Sequence, residues 1–448
     1  MNFFKAYDMR GTFGTDFSLN DVYKIGKALP QVVQGVRWLV GRDCRLSSDA
    51  VHDALVAGLR EAGVEVTDLG RCTTSMVYYF TGEDGFDGSV MITASHNPPS
   101  DNGLKVSRKG ALPVSYASGL NEVEAIVTGM PGEDVPKPTD DLPGAESPSA
   151  YWMRYRDFLR AKLAESPIAN LRFAVDCSNG MASLFVHELF PEAVIVNDTP
   201  DGNFPAHSPN PLKAESRERL AKVVREQKLD CGVIFDGDAD RAMFVNEKGD
   251  FVQPDYLIPI VARAERAKTF ILHDIRTSRG AIEAIREMGC EPVMVPVGPA
   301  FAKPKMRELS APCGGELAGH YYFAEFHNCD SGILAAIRIL QQIAAAKAKG
   351  WTFSQLMAPI TSRYANSGEL NYKVDDKDAA IARVLAVSKD FGTEIARSDI
   401  DGVRLDLADG WLNVRKSNTE PYLRLLVEHR DPETLKRWIA VLEEAIRK

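Results

Sequence analysis

The 448-residue sequence contains no paired cysteines, no long apolar run and no excess of positive charge. Its seven cysteines stand singly, without a C-x-x-C spacing, so neither a zinc ribbon nor a disulfide framework is indicated. No segment approaches the roughly 18 apolar residues of a membrane span, and the opening MNFFKAYDMRG lacks the apolar core of a signal peptide. The formal net charge of -9 provides no basic surface for nucleic acid. These absences predict an acidic cytoplasmic protein without a membrane or nucleic-acid partner, in which any anion site is built locally.

A repeated pattern divides most of the chain. Three times an apolar, strand-like run ends in an aspartate and continues through a polar turn into a helix-like segment, at Asp43, Asp176 and Asp274. Buried strands followed by helices of this kind are typical of βαβ units, so the repeat predicts three similar mixed α/β domains. After Arg363 the pattern changes to shorter strands and a final helix that opens at Asp431. This change predicts a smaller α+β C-terminal domain.

The chain length also requires several domains, because single hydrophobic cores stop growing at about 250 to 300 residues. Residues 128–149 are rich in proline, glycine, aspartate and serine, which is typical of a loop or linker. Residues 151–165 and 330–349 have helical spacing, and we expect both helices to face a core. The predicted domains are 1–150, 151–255, 256–365 and 366–448.

The segment MITASHNPPSDNGLKV, residues 91–106, runs from a strand into a polar loop. It places the Ser95 hydroxyl beside His96 and Asn97, with Lys105 farther along. Such a set suits a nucleophile with nearby proton-handling groups. It also suits an ordinary strand-to-turn exit, in which Ser95 and Asn97 bond only the local backbone.

A second polar loop, CGVIFDGDADRAMFV, places Asp236, Asp238 and Asp240 at alternate positions, with Arg241 next. Two like charges at about 4 Å repel by about 4 kcal/mol at an effective dielectric of 20, so three carboxylates favour a bound cation. Oxygen ligands alone favour a hard cation such as Mg²⁺. An EF-hand calcium loop has a similar spacing, but Arg241 stands where that loop requires glycine. A solvated acidic turn without metal remains the other interpretation.

Two further segments carry polar side chains suited to a sugar phosphate. In GGELAGHYYF, Glu316 and His320 can bond sugar hydroxyls, although a loop glutamate and histidine can equally serve structural roles. In WLNVRKSNTEPYLRLLVE, a guanidinium, two hydroxyls and an amide occupy one turn and can bind a phosphate dianion. A turn or helix cap is the alternative there. The residues of this turn are Arg415, Ser417, Asn418 and Thr419.

Taken together, these strings resemble a known family. TASHNPP followed by NG-x-K, then DGDADR, GE-x-x-GH and R-x-SNTEP-x-LR, resemble in this order the motifs of the phosphoglucomutase/phosphomannomutase family, the α-D-phosphohexomutases. FKAYDMRG near the N-terminus and PDGNFPAHSPNP, residues 200–211, resemble two further family segments. The resemblance runs through all four predicted domains. It implies a four-domain α/β fold around a central cleft, to which each domain contributes one motif.

The resemblance also implies a function and a set of site residues. The reaction is the interconversion of hexose 1-phosphate and hexose 6-phosphate, of mannose or glucose or both, with Mg²⁺ and a hexose 1,6-bisphosphate as activator and intermediate. Ser95 carries the phosphoryl group and joins Asp236, Asp238 and Asp240 at the metal. The other residues implied to be catalytic are His96, Lys105 and Arg241. Those implied to bind the substrate are Tyr7, Arg10, Arg276, Glu316, His320, Arg415, Ser417, Asn418 and Thr419.

Three positions depart from the family pattern. Pro299 stands where the family commonly has a histidine, Ala318 replaces a serine, and Arg276 replaces a frequent lysine. The alternatives are a phosphoglucosamine mutase and a degenerate sugar-phosphate-binding protein without catalysis, although the SNTEP form is more similar to phosphomannomutases. The sequence assigns no oligomeric state.

Overall fold

Three of the four β-sheets have the same strand order. The computed structural model describes residues 3–132, 135–136, 148–266, 268–417 and 422–448. Counted from the strand that leads to the repeated aspartate, the strands of each of these sheets are ordered second, first, third, fourth; the first sheet has one further, earlier strand at its edge. The first strand is parallel to the second and third, and the fourth is antiparallel to the third. The internal repeat predicted from the sequence is therefore confirmed.

The first sheet has the order β1-β5-β4-β2-β3, with β6 paired to β5. Its strands are β1 (Met9–Thr12), β2 (Arg37–Arg42), β3 (Glu65–Arg71), β4 (Gly88–Ile92), β5 (Asp101–Arg108) and β6 (Leu112–Pro113). The accompanying helices are α1 (Leu19–Val32), α2 (Ser48–Glu61), α3 (Thr74–Glu83) and α4 (Leu120–Gly129).

The second sheet has the order β11-β10-β9-β7-β8. Its strands are β7 (Phe173–Asp176), β8 (Val194–Val196), β9 (Cys231–Phe235), β10 (Ala242–Asn246) and β11 (Phe251–Val252). The helices of this part are α5 (Pro148–Ala164), α6 (Ser183–Leu189) and α7 (Ala214–Glu226). Both β7 and β9 are buried along their whole length, as their continuous apolar sequences predict for central strands.

The third sheet has the order β13-β12-β14-β15-β16. Its strands are β12 (Phe270–Asp274), β13 (Glu291–Val295), β14 (Cys313–Gly315), β15 (Tyr321–Phe323) and β16 (Cys329–Asp330). The helices are α8 (Ile258–Ala264), α9 (Arg279–Glu287), α10 (Pro299–Leu309), α11 (Gly332–Lys347) and α12 (Phe353–Thr361).

The fourth sheet is wholly antiparallel and has the order β17-β22-β21-β20-β19, with β18 paired to β22. Its strands are β17 (Ala365–Asn366), β18 (Leu370–Tyr372), β19 (Glu394–Ser398), β20 (Val403–Leu407), β21 (Gly410–Lys416) and β22 (Leu423–His429). Two helices, α13 (Lys377–Ser388) and α14 (Pro432–Arg447), pack on it. Asp431 caps α14 by accepting the N–H groups of Glu433 and Thr434. The predicted α+β C-terminal domain is confirmed.

The three aspartates that revealed the repeat do the same structural work. Asp43, Asp176 and Asp274 are buried at the carboxyl end of the first strand of their sheets, or one residue beyond it. Each carboxylate accepts the backbone N–H two residues later, at 3.0, 2.9 and 2.7 Å. The sequence pattern therefore marks a tight turn that ends each first strand.

The loops between the third and fourth strands also correspond among the repeats. These connections are 93–100 between β4 and β5, 236–241 between β9 and β10, and 316–320 between β14 and β15. They are the three motif loops of the first three domains. The fourth motif string begins in β21 and ends in β22, and its residues 418–421 lie outside the described residues. Three chemically different motifs thus occupy corresponding loops of three successive sheets.

The helices predicted at 151–165 and 330–349 are present as α5 and α11, and they contact each other within one large core. The buried face of α11 includes Ile333, Ile337, Leu340 and Ile343. Of the loop predicted at 128–149, residues 128–129 belong to α4, which ends at Gly129, and residues 148–149 belong to α5, which begins at Pro148. Proline is well tolerated in a first helical turn; residues 133–134 and 137–147 lie outside the described residues. Among the described helices, none combines the length and apolarity needed to cross a membrane.

Candidate active site

Ser95 lies where the first and second domains meet. Its backbone has a φ of +50°, in the left-handed region that is uncommon for residues other than glycine. The Ser95 hydroxyl donates to Asp236 Oδ2 at 2.8 Å and lies 3.4 Å from His96 Nδ1. A Cβ on Gly237 would approach the Ser95 carbonyl oxygen to 2.6 Å, so the two loops touch through their backbones. The strand-exit interpretation is therefore insufficient, because the Ser95 hydroxyl is aimed at the acidic loop.

Asp236, Asp238 and Asp240 form a compact and fully buried triad. One carboxylate oxygen from each lies within 4.8 Å of the others, a spacing that can hold a metal ion. Asp238 Oδ1 and Asp240 Oδ1 are buried without a hydrogen-bond partner. Orphaned anionic oxygens are costly unless a cation completes them, so the triad fits a bound metal. The interpretation as a solvated acidic turn is inconsistent with this burial.

Positive groups from neighbouring elements already surround the triad. Lys105 Nζ lies 2.7 Å from Asp238 Oδ2 and 2.6 Å from Asp240 Oδ2. Burial alone would lower the pKa of Lys105, but these two carboxylates outweigh it and raise the pKa above its ordinary value. Burial, together with the charges of Asp240 and Asp238, raises the pKa of Asp236 well above its ordinary value. The loop thus holds more negative charge than its present partners neutralise.

Arg241 links the acidic loop to the third domain. Its Nε–H donates to His320 Nε2 at 3.0 Å, and the two residues also form an isolated β-bridge. His320 Nδ1 lies 2.7 Å from Asp330 Oδ2. Because Nε2 accepts from Arg241, this geometry places the His320 proton on Nδ1, directed at Asp330. Lys303 is fully buried and pairs with Asp330 at 2.9 Å. Arg241, His320, Asp330 and Lys303 therefore form a continuous chain of polar contacts.

The N-terminal motif approaches the same region. Arg10 donates to Asn97 Oδ1 at 3.1 Å in the Ser95 loop and to Asp8 Oδ2 at 2.6 Å. Tyr7 packs edge-on against Phe301, with ring centroids 5.7 Å apart. Phe301 lies on α10, which begins at Pro299, the position where the family commonly has histidine. This departure therefore belongs to a helix that contacts the N-terminal motif.

Glu316 and Arg276 meet at the start of the 316–320 loop. Glu316 is buried and accepts a hydrogen bond from the Tyr322 hydroxyl. Its Oε2 lies 3.8 Å from Arg276 Nη2. Arg276 is held by Asp274, which also accepts the Leu317 N–H at 3.0 Å. Glu316 and His320 therefore both have protein partners, within the loop that joins the triad to the arginines of the third and fourth domains.

Three arginines from the third and fourth domains gather around Glu369. Glu369 lies 3.3 Å from Arg276, 2.7 Å from Arg424 and 3.8 Å from Arg415. Arg415 is buried, its Nε has no hydrogen-bond partner, and Asp401 lies 3.8 Å from it. Burial and the neighbouring Arg276 charge lower the pKa of Arg415. This cluster carries three positive charges and can accept a phosphate.

The remaining predicted phosphate-binding residues follow β21 in the sequence. The Ser417 N–H donates to the Tyr422 carbonyl at 2.9 Å. Asn418 and Thr419 lie outside the described residues.

Sequence reasoning missed Thr74, Lys303, Asp330 and Glu369. Thr74 Oγ1 donates to Asp238 Oδ2 at 2.5 Å from the first turn of α3. Lys303 and Asp330 orient His320, and Glu369 holds the arginine cluster. All four lie outside the motif strings quoted above, and only their tertiary contacts show what they do.

The chain matches four family models in succession. These describe phosphoglucomutase/phosphomannomutase α/β/α domain I over residues 1–130, domain II over 153–249, domain III over 253–364 and the C-terminal domain over 369–445. The chain belongs to the phosphoglucomutase/phosphomannomutase family. It is therefore an enzyme of the mutase type, within carbohydrate metabolism.

Relatives and a solved structure agree with this membership. A protein of Xanthomonas campestris pv. campestris described as phosphohexose mutases is 38% identical over 96% of each chain. The phosphomannomutase of Escherichia coli K12 is 34% identical over 95% of this chain and 94% of its own. The crystal structure of a family protein from Burkholderia thailandensis superposes with a TM-score of 0.82 at 28% identity, covering 100% of this chain and 97% of that one.

The buried ion pair behind His320 yields a prediction about stability. Lys303→Met leaves the Asp330 carboxylate buried without its cation, which costs about 3 to 5 kcal/mol. We expect a marked fall in the urea midpoint. The double variant with Asp330→Asn should recover much of it, because the charge is gone while His320 Nδ1–H keeps an acceptor.

Lys436→Met is the matched control, because Lys436 and Glu433 form an exposed pair that should contribute nothing measurable. A Lys303→Met protein as stable as this control would contradict the buried-pair account.

Proposed function

We propose that the protein interconverts hexose 1-phosphate and hexose 6-phosphate through phosphorylated Ser95 and a hexose 1,6-bisphosphate intermediate. One observation carries the proposal. The Ser95 hydroxyl lies 2.8 Å from Asp236, within a buried carboxylate triad that has orphaned oxygens. A serine placed there can carry a phosphoryl group whose charge is shared with a cation.

The metal of this proposal is Mg²⁺, held by Asp236, Asp238 and Asp240 together with an oxygen on Ser95. An all-oxygen donor set of three carboxylates suits this hard cation. When bound, Mg²⁺ supplies charge stabilisation for the transferring phosphoryl group. Lys105 and Arg241 border the triad and supply further positive charge.

Each transfer exchanges one phosphorus–oxygen bond for another. The bond between phosphorus and Ser95 Oγ breaks as a bond to a sugar oxygen forms, and the sugar hydroxyl gives up its proton. Lys105, the nearest flexible amine, handles this proton. As an ammonium held by Asp238 and Asp240, Lys105 gives a proton to the leaving Ser95 Oγ and takes the proton of the attacking hydroxyl, and the reverse step exchanges the same two protons in the opposite direction. Burial and the nearby charge of Arg241 lower the pKa of His96 well below its ordinary value, so His96 assists as a neutral hydrogen-bonding group beside Ser95.

The arginine cluster binds the phosphate that is not being transferred. Arg276 and Arg415 contribute guanidinium groups, and the 417–419 turn contributes hydroxyl and amide donors. Because this clamp recognises phosphate, it accepts the bisphosphate in either orientation, and one serine can serve both ends of the sugar. Tyr7, Arg10, Glu316 and His320 line the sugar path between Ser95 and the clamp.

A cytoplasmic location and hexose phosphates as substrates belong to the same proposal. All seven cysteines are buried free thiols, which suits a reducing compartment.

Phosphopeptide mapping of the purified enzyme tests the proposal itself. We expect phosphate on Ser95 in part of the protein, and we expect Ser95→Ala to lose essentially all mutase activity with glucose 1-phosphate and mannose 1-phosphate. Ser107→Ala is a control, because Ser107 is equally buried but lies on β5. Full activity of Ser95→Ala would eliminate the phosphoserine mechanism.

The metal assignment is tested by binding and by turnover. Because one charged ligand is lost, Asp238→Asn should weaken Mg²⁺ binding in calorimetry and remove most activity. The thermal midpoint should be retained. Asp157→Asn, at an exposed helical position, should leave both unchanged. Undiminished turnover after exhaustive chelation would show that no divalent cation takes part.

The clamp is tested by Arg415→Ala. Loss of a charge-assisted hydrogen bond removes about 1.5 to 3 kcal/mol, which weakens hexose-phosphate binding about ten- to a hundredfold. Arg397→Ala, an exposed change in the same domain, should leave affinity unchanged. Equal affinities of the Arg415→Ala and Arg397→Ala proteins would remove the C-terminal domain from the site.

Substrate preference should depend on the polar side chains available to the sugar. Mannose and glucose phosphates differ at carbon 2, and discrimination requires a polar partner that the wrong epimer leaves unpaired. Pro299 and Ala318 supply no side-chain donor, so we expect both sugars to be used, with kcat/KM values within about tenfold, or about 1.4 kcal/mol. Competition assays measure this ratio. A thousandfold preference would mean that another residue reads carbon 2.

A further inference from the structure

Arg45 is a fully buried arginine that lies next to the Ser95 loop. It follows β2, and Ser95 follows β4, the parallel neighbour of β2 in the sheet. The two loops therefore emerge side by side at the same sheet edge. Asp43 begins the first of them and accepts both the backbone N–H and the Nε–H of Arg45, at 3.0 and 3.1 Å. The guanidinium is thus fixed at its base before it reaches the second loop.

The other four N–H groups of Arg45 all donate to backbone carbonyls of one loop. Nη2 donates at 2.8 Å to each of two oxygens, and Nη1 donates at 2.6 and 2.8 Å to two more. The acceptors are the carbonyls of Ser95, Asn97, Pro98 and Asp101. All five guanidinium N–H groups are therefore used, and four of them gather carbonyl dipoles that would repel one another without a cation.

The four carbonyls around the Arg45 guanidinium form a cradle, and this cradle supports an unfavourable backbone conformation at Ser95. Ser95 has a φ of +50°, and a non-glycine residue in this region costs of the order of 1 to 3 kcal/mol unless its surroundings enforce it. The Ser95 N–H is held by Thr93 Oγ1 at 2.8 Å, and its carbonyl is held by Arg45. Fixing both ends of the residue fixes the direction of Oγ toward Asp236.

The second domain closes the exposed face of the cradle. Phe204 lies over the Arg45 guanidinium, with its ring centroid 5.0 Å from Cζ. Gly202 approaches the backbone of this loop so closely that a Cβ there would lie 2.6 Å from the Cys44 carbonyl oxygen. The same ring of Phe204 lies 3.4 Å from the position of a Cβ on Gly237 in the acidic loop. Arg45 is therefore packed between the serine loop and the domain that carries the triad.

The internal repeat offers a direct comparison. Arg276 stands in the third domain where Arg45 stands in the first, two residues after the aspartate, and its Nε–H also donates to that aspartate, at 3.2 Å. Arg276 reaches outward to Glu316 and Glu369, whereas every donor of Arg45 points inward. The same turn thus directs Arg276 toward Glu316 and Glu369 in the third domain, whereas in the first domain it directs Arg45 into the backbone of the Ser95 loop.

We infer that Arg45 is a positioning residue for phosphoryl transfer, which holds the Ser95 loop so that Oγ stays aimed at the acidic triad. The inference rests on the proposed phosphoserine function. Arg45 acts through the loop and touches neither sugar nor phosphate. Its loss should therefore slow the transfer step without weakening the clamp, since the hydrogen-bond partners of Arg45 among the described residues all lie in the first domain.

The test is Arg45→Lys, compared with Arg338→Lys. Arg338 is also buried and pairs with Glu165, Glu265 and Glu325, none of which belongs to the candidate site. A lysine ammonium cannot reach four carbonyls in the fork geometry. Because a misplacement of about 1 Å can reduce the rate of a reaction about a hundredfold, we expect kcat of Arg45→Lys to fall by about that factor with KM within threefold. Arg338→Lys should lose thermal stability and keep kcat within threefold.

Asp43→Asn is a second, milder variant, because it keeps the shape of the turn and weakens only the anchor of the guanidinium. We expect a fall in kcat of about tenfold, again without a change in KM. Unchanged kcat in both variants, or activity lost only in proportion to the unfolded fraction, would overturn the inference. Absence of phosphate on Ser95 in the wild-type enzyme would instead overturn the proposed function, so the two failures are distinguishable.

Discussion

The structure depends on one electrostatic constraint: three buried carboxylates in a single short loop require positive charge from elsewhere. The first domain supplies Lys105, and the loop itself supplies Arg241, which is in turn held by His320 of the third domain. Like charges in a medium of low dielectric repel strongly, so the loop is stable only when these groups converge. The need to neutralise Asp236, Asp238 and Asp240 thereby joins three domains at one point.

A second centre, rich in arginine, lies in the third and fourth domains. Around Glu369 these domains assemble three arginines, whose guanidinium groups also lie near Asp274, Asp401 and Glu316. The acidic centre can bind a metal and the basic centre can bind a phosphate. The loop from Glu316 to His320 connects them, since Glu316 faces Arg276 and His320 faces Arg241. This arrangement of charges supports the proposed hexose 1,6-bisphosphate intermediate.

The sequence alone predicted the repeat, the C-terminal domain and the motif loops, because short-range patterns record these features. Buried strands appear in the sequence as apolar runs. The aspartates at their ends stand only two residues before the N–H groups whose hydrogen bonds they accept. The partners of Asp330 and Glu369 could not be predicted in this way. A charge becomes a buried ion pair only when tertiary packing excludes water, and Lys303 and Asp330 come together from different elements of the third domain.

The same reason explains why Arg45 had no signal in the sequence. Its neighbours along the chain identify a turn, whereas its four carbonyl acceptors lie about fifty residues later. Residues of the motifs were found because they stand together in short strings of charged and hydroxyl side chains. Residues that hold those motifs are chemically ordinary, and only the folded chain shows what they hold.

A single-turnover experiment tests the central claim most directly. Enzyme carrying radioactive phosphate on Ser95 is mixed with excess glucose 6-phosphate and Mg²⁺, and samples are quenched on the millisecond scale. The account predicts that label leaves Ser95 and appears in hexose 1,6-bisphosphate at least as fast as steady-state turnover. Label that remains on the serine during turnover, or that is released as inorganic phosphate, would contradict it.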